Sequence, residues 1–162
     1  RELEAFFAKS NPGRGRWNPG PYYWHGNQPD LHAAYLFNEA GRPDLTQRWV
    51  RWILENKYAA TYEGLDGNDD GGTLSAWYVF GALGFHPLPG TDRYHLGSPL
   101  FLRAEIRLKE GTLTVVASNH GPSRQYVRSV HLNGGRLDRW WIRHSEIVRG
   151  GELRFEMSET PP

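Results

Sequence analysis

The stretch from Thr73 to Leu83 constrains this chain more than any other. Leu74, Ala76, Trp77, Tyr78, Val79, Phe80, Ala82 and Leu83 leave a helix there without a polar face. A helix apolar on every side is a buried helix, so it belongs inside a large helical assembly. Gly84 stands where a helix C-terminus wants a left-handed residue. The segments before it also carry helical period. Leu3, Phe6 and Phe7 mark residues 1–9 as the tail of a helix, and a loop runs from Ser10 to Pro21 by its Gly and Pro content. A helix is predicted from Pro29 to Gly41, with Leu31, Ala34, Tyr35 and Asn38 on one face. Another is predicted from Pro43 to Tyr58, with Leu45, Trp49, Trp52, Ile53 and Asn56 in a stripe. Residues 59–72 read as a Gly/Asp loop.

Near residue 97 the period changes to two. Leu102, Ala104, Ile106 and Leu108 alternate with polar residues, and Glu110-Gly111 turns the chain into Thr112–Ser118. Tyr126–Leu132 meets Asn133-Gly134, a strong hairpin signal, and leads into a strand over 136–142. Ser145–Val148 reads as one helical turn, and Glu152–Ser158 as a last strand. The fold class is therefore α+β: a helical region, residues 1–97, followed by a small antiparallel sheet or half-sandwich, residues 98–162. Three or four helices with an all-apolar member bury themselves poorly. The chain also opens at Arg1-Glu2-Leu3 without an initiator Met or a visible signal peptide, so it is expected to be a piece of a longer protein.

Composition excludes several classes. With 19 Lys+Arg against 18 Asp+Glu the chain lacks the basic excess of a nucleic-acid scaffold. It has no cysteine, which removes disulfides, thiolate metal sites and thiol catalysis. No run approaches the roughly 20 apolar residues that span a bilayer.

Two stretches carry candidate chemistry. Gly64-Leu65-Asp66-Gly67-Asn68-Asp69-Asp70-Gly71-Gly72 puts three carboxylates and an amide in a Gly-rich loop before the apolar helix. Capping of that helix accounts for one of the carboxylates. An EF-hand opening, Asp66-x-Asn68-x-Asp70-Gly71, fails because Trp77 stands where a bidentate Glu is required. The remaining reading is carboxylate catalysis of the kind that cleaves glycosides, with aromatic residues against the sugar. The second stretch, Tyr22 to His32, offers two His, two amides and an Asp around a glycine turn and a helix start. Its bland reading is a capped helix with a core histidine, and its amide oxygens suit calcium better than zinc. No His-x-x-x-His pair points to zinc, and Ser75 lacks the glycines of a nucleophile elbow.

Taken together these blocks resemble glycoside hydrolase family 92, calcium-dependent exo-acting α-mannosidases. The resemblance rests on Trp24-His25-Gly26-Asn27-Gln28-Pro29-Asp30, on Gly64 to Asp70, on Ser75-Ala76-Trp77-Tyr78-Val79-Phe80 with Ala82-Leu83-Gly84-Phe85, and on Gly97-Ser98-Pro99-Leu100-Phe101. It covers about residues 1–160 and implies that the helices here are the last of an (α/α)₆ barrel. It also implies release of terminal α-1,2-linked mannose from mannans or N-glycans with inversion. By motif position Asp70 is the expected general base, with Asp69 and Asn68 beside it. Trp24, His25 and Asn27 are expected against the sugar, and Gln28, Asn27 and Asp70 at the calcium ion. Asn68 stands where many members carry Asp, and Gln28 where most carry Glu, one charge fewer near the expected metal. The family's general acid and its N-terminal β-sandwich have no counterpart here, so the missing N-terminal part of the protein is an expected partner. The same likeness implies a secreted or periplasmic location.

Two rival readings make distinct demands. A carbohydrate-binding sheet would present Trp140 and Trp141 on one exposed face, which strand alternation opposes. A purely structural interaction domain would leave Asp66, Asp69 and Asp70 as solvated caps without a pocket. Convergence of Asn27, Gln28 and Asp70 on one cleft would count against it.

Overall fold

The computed structural model describes residues 1–14 and 20–162, so part of the loop expected between Ser10 and Pro21 lies outside the described residues. Helix α1, Glu2–Ala8, buries Phe7 against the rings of Tyr23, Phe37 and Trp49. The helix expected over 29–41 is instead broken into 3₁₀ turns at Gln28–Asp30 and Ala33–Tyr35 and the short α2, Leu36–Glu39. Tertiary hydrogen bonds explain the break. The Leu31 carbonyl accepts the Trp77 indole N–H at 2.8 Å, and the Tyr35 amide turns to His32 instead. The Asn38 amide donates to the Leu96 carbonyl at 2.8 Å, tying α2 to the sheet half.

Helix α3, Pro43–Asn56, starts on its proline and buries Leu45, Thr46, Gln47, Trp49, Val50, Ile53 and Leu54, a face wider than the predicted stripe. Helix α4 runs Thr73–Leu83 as predicted and ends on Gly84 with φ 87°. A β-carbon at Gly84 would lie 2.9 Å from Pro99, so that turn needs glycine twice over. Leu74, Trp77, Gly81 and Ala82 are buried, whereas Val79 is 55% exposed although it belongs to the all-apolar helix.

Two sheets complete the mixed α+β fold. The first joins β1, Phe85–Pro87, β2, Arg93–Leu96, and β7, Trp141–Arg143, in that order. The second contains β3, Arg103–Arg107, β4, Thr112–Ser118, β5, Tyr126–Leu132, β6, Gly135–Arg136, and β8, Gly151–Ser158. Its order is β3-β4-β8-β5-β6. The expected strand over 136–142 is thus divided between two sheets, because the chain leaves β6 and crosses to the first sheet before α5, His144–Ile147. The sheet is also not wholly antiparallel. Strand β8 fills the gap between β4 and β5, pairing antiparallel with β5 and parallel with β4, and so satisfies the inner backbone edges of both. The Asn133-Gly134 turn has φ of 50° and 83°, as a two-residue hairpin requires.

The apolar interior forms two clusters, one around Phe7, Tyr35, Trp49, Ile53 and Trp77, the other around Leu96, Val115, Ile142, Leu153 and Phe155. Buried Gln47 of α3 accepts the Val127 amide at 3.0 Å, and Arg51 donates to Ser98 and the Pro99 carbonyl, so α3 is bonded to the sheet region.

A polar layer lies beneath the loops at 22–28 and 64–72. Lys57 and Asp66, 1% and 0% exposed, form an ion pair at 3.3 Å. The Lys57 ammonium also donates to the carbonyls of Asn11 at 2.7 Å and Gly13 at 2.9 Å. Burial pulls its pKa down and Asp66 opposes that. Beside it, the Tyr58 hydroxyl donates to the Leu74 carbonyl and so accepts from His25 Nε2, which leaves His25 Nδ1 to accept from Tyr23 at 2.6 Å.

Breaking a buried ion pair from one side costs about 3–5 kcal/mol. Lys57→Met is expected to lose stability on that scale, read as a lower urea midpoint, and an unchanged midpoint would contradict the arrangement. The buried imidazoles set a pH dependence. Burial, and then Lys57 and His86, lower the His25 pKa from 6.5 to about 3, and burial lowers His86 to about 4. The unfolded chain takes up these protons near pH 6.5 and the folded one only near 3 to 4. Stability is therefore full above pH 6.5 and falls as pH drops toward 4, by about 1.4 kcal/mol per unit for each fully coupled group. Urea titrations at pH 7, 6 and 5 test this, and equal midpoints would refute it.

Candidate active site

The two loops meet through glycines. A β-carbon on Gly26 would lie 2.4 Å from the Trp24 ring and 2.7 Å from the Asp66 carbonyl, and one on Gly67 would lie 3.0 Å from the Gly26 Cα. Only residues without side chains allow that approach. The contact is locked by hydrogen bonds: Trp24 Nε1–H donates to the Asp66 carbonyl at 3.0 Å, and the His25 amide to the Asp66 carboxylate at 3.2 Å. The Trp24 amide donates to the Asp30 carboxylate at 3.2 Å. A turn from Trp24 to Asn27 then places Asn27 and Gln28 at the mouth of the first 3₁₀ turn.

On the other loop, Asp70, Gly71 and Gly72 all take positive φ, 49°, 71° and 96°. Left-handed backbone at a non-glycine residue carries strain that its surroundings must hold in place. Two bonds do so here: Thr73 Oγ–H donates to the Asp70 carbonyl at 2.8 Å, and the Gln28 amide donates to the Asp70 carboxylate.

Asp69 and Asp70 therefore face different ways. Asp69 receives the Ser75 amide at 2.8 Å and the Ser75 hydroxyl at 2.9 Å, which makes its carboxylate the N-terminal cap of α4. Asp70 is exposed and lines a cleft of about 960 Å³ together with Trp24, Asn27, Gln28 and Asn68. Of the residues expected at the site, these five share one cleft, and the convergence of Asn27, Gln28 and Asp70 is what a purely structural domain would lack. His25 does not join them. It is wholly buried beneath the floor, both ring nitrogens closed by tyrosine hydroxyls and the ring edge-on to Trp77 at 4.6 Å.

Among the described residues no three His, Asp or Glu side chains gather as a metal site. The residues expected at a metal, Asn27, Gln28 and Asp70, bring two amide oxygens and a carboxylate to the cleft, which Asn68 and Glu63 also line. That chemistry suits a hard cation such as calcium, as part of a shell of six to eight oxygens.

Sequence reasoning did not single out Lys57, although it falls on the buried stripe, four residues after Ile53 and eight after Trp49. Arg14, Tyr62 and Glu63 also line the cleft and carried no motif signal. The paired tryptophans of the sheet offer no sugar platform. Trp140 packs against the second cluster, and the guanidinium groups of Arg93 and Arg139 lie 4.4 and 4.6 Å from the Trp141 ring centre.

Residues 1–159 match the model of the glycosyl hydrolase family 92 catalytic domain. An uncharacterized secreted glycosidase of Arthroderma benhamiae is 30% identical over 138 residues, 83% of this chain and 18% of that protein. The solved family GH92 α-mannosidase of Bacteroides thetaiotaomicron superposes with a TM-score of 0.87 at 37% identity, over 98% of this chain and 21% of its own. A family GH92 inverting mannosidase from the same organism gives 0.83 at 35% identity, over 99% of this chain and 24% of its own. The chain thus spans about a fifth of the length of the proteins it matches. On this match over nearly its whole length, the chain belongs to glycosyl hydrolase family 92.

Proposed function

We propose that this chain is the part of an exo-α-mannosidase that supplies the general base and one wall of the sugar site. The helices α1 to α4 take the place of the last helices of an (α/α)₆ barrel. The observation that carries the reading is the shared cleft: a tryptophan, two amides and an exposed carboxylate face one space, with Gln28 orienting Asp70. The mannosidase relatives support an α-mannoside as the substrate, which on this reading is a terminal mannose of mannans or N-glycans.

In the complete protein, Asp70 in its ionised form takes a proton from the water that attacks the anomeric carbon. Gln28 donates to the carboxylate and so fixes the direction in which its oxygens point. Trp24, pinned through its indole N–H, offers a ring face to the sugar. A carboxylic acid from the missing N-terminal part protonates the leaving oxygen. In an inverting enzyme the two carboxyl groups stand about 6.5–9.5 Å apart to admit the water. Asn27 and Gln28, with Asp70, would hold calcium, which when bound supplies a positive charge to sugar hydroxyls. Asn68 presents an amide beside Asp70, so the base is a single carboxylate, and Asp69 serves it by capping the helix that follows. Secretion is proposed from the likeness to the secreted glycosidase. No helix among the described residues is long and apolar enough to cross a membrane.

Asp70→Asn in the full-length protein is expected to lower kcat on an α-mannoside by about 100- to 10,000-fold, the range for a general base. Near-wild-type turnover would sink the assignment. Asp69→Ala is expected to cost about 1 kcal/mol of stability as a lost cap. Chelation should remove activity and calcium should restore it, and activity indifferent to chelator would eliminate the metal from the reading.

A further inference from the structure

The sheet half carries an arginine cluster that the proposed chemistry does not use. Arg128, Arg136 and Arg139 line one cleft of about 190 Å³ between β5 and the crossover from β6 to β7. Asp138 is the one carboxylate on that lining among the described residues, and it forms an ion pair with none of the three. The guanidinium groups of Arg128 and Arg136, both exposed, have no ion-pair or hydrogen-bond partner among the described residues. The fold puts each arginine there. Val127 and Val130 are both buried although three residues apart, which regular alternation along a strand forbids. A bulge reconciles them: Val127 pairs with Met157 and Ser129 with Glu156, so Arg128 is an extra residue on β5. Bulges re-aim side chains in this way. Arg128 and Ser129 thereby form a ridge shared by this cleft and a second one of about 510 Å³. Arg136 follows the Asn133-Gly134 turn opposite His131, and the next amide, that of Leu137, closes on the Val130 carbonyl at 2.8 Å. Arg139 is held by its Nε–H on the Trp141 carbonyl at 3.0 Å and by its ion pair with Glu146.

We propose that Arg128, Arg136 and Arg139 form a binding site for a phosphate group. The site shares no residue with the cleft at Asp70 and does not rest on the mannosidase reading. A cleft lined by one sign of charge focuses its field on a counterion, and two of the three guanidinium groups here have no carboxylate of their own. A tetrahedral oxyanion offers several oxygens to several donors, whereas a lone carboxylate is satisfied by one bidentate arginine. At about 190 Å³ the cleft is smaller than sites for whole small molecules, so it takes the anionic group, and what carries that group extends over the ridge. In the adjoining cleft Arg124 pairs with Glu159 at 3.5 Å, and Glu156 stands across from Ser129. That mixture of donors and acceptors matches the hydroxyls of a sugar.

Calorimetric titration of the full-length protein with inorganic phosphate, glucose 6-phosphate and glucose tests the site. Both anions are expected to bind, glucose is not, and affinity should fall as salt rises. Arg128→Gln and Arg136→Gln are each expected to weaken binding of the anions about tenfold, the scale of one charge-assisted hydrogen bond. Their thermal midpoints and their turnover of an α-mannoside should match the wild type. Tighter binding of glucose 6-phosphate than of inorganic phosphate supports the site with a sugar phosphate as its ligand, and equal binding supports it with free phosphate. Failure of the wild type to bind either anion overturns the site, and so does binding that both variants leave unchanged. Lowered midpoints in the variants, without anion binding by the wild type, also overturn it, since the arginines would then pair with an acidic surface elsewhere in the protein.

Discussion

The buried ion pair between Lys57 and Asp66 is the interaction on which the cleft depends. Taking both charges out of water is expensive, and the cost is recovered only where every remaining donor and acceptor finds a partner. Here the ammonium reaches two backbone carbonyls of the N-terminal segment besides Asp66. Asp66 in turn receives the His25 amide on its carboxylate and the Trp24 indole on its carbonyl. Three stretches of chain far apart in sequence are thereby fixed to the end of α3. A shift in any of them would break a bond to a buried charge, so the loops are held with little freedom.

Around this pair the helical half is packed with rings among its aliphatic side chains. Trp77 lies parallel to Tyr58 and edge-on to His25, and Tyr35 stacks on His86 at 4.8 Å. A polar ring atom buried in such a core is costly without a bond, and the Tyr23–His25–Tyr58–Leu74 chain satisfies both nitrogens of His25, whereas the Tyr35 hydroxyl and the Trp49 indole N–H have no partner among the described residues. The histidine that a motif reading places against the sugar thus lies one layer below it, in the core beneath the loop that carries Trp24 and Asn27.

The acidic loop divides its labour by backbone geometry. Three left-handed residues in succession turn the chain so sharply that adjacent carboxylates point to different tasks. Asp69 is turned inward onto the α4 terminus and Asp70 outward into the cleft. The amide of Gln28 donates to Asp70, a bond that an ionised Glu at this position could not make.

Local rules were enough for much of this molecule. The α4 boundaries, the Gly84 stop, the Asn133-Gly134 turn and the strands β4 and β5 follow from short-range periodicity and the φ that glycine and asparagine tolerate. The two motif blocks were legible as well, because a cleft of this kind needs particular residue types in close succession. What the sequence alone could not decide was anything set by partners distant along the chain. The break in the helix over 29–41 depends on a tryptophan 46 residues away. The parallel pairing of β8 with β4 depends on which gap the last strand fills. Whether His25 or Tyr62 faces the cleft depends on which of them the aromatic core encloses. Period and propensity report on a residue's own segment, whereas burial and hydrogen-bond satisfaction are settled between segments, and only the tertiary structure brings those together.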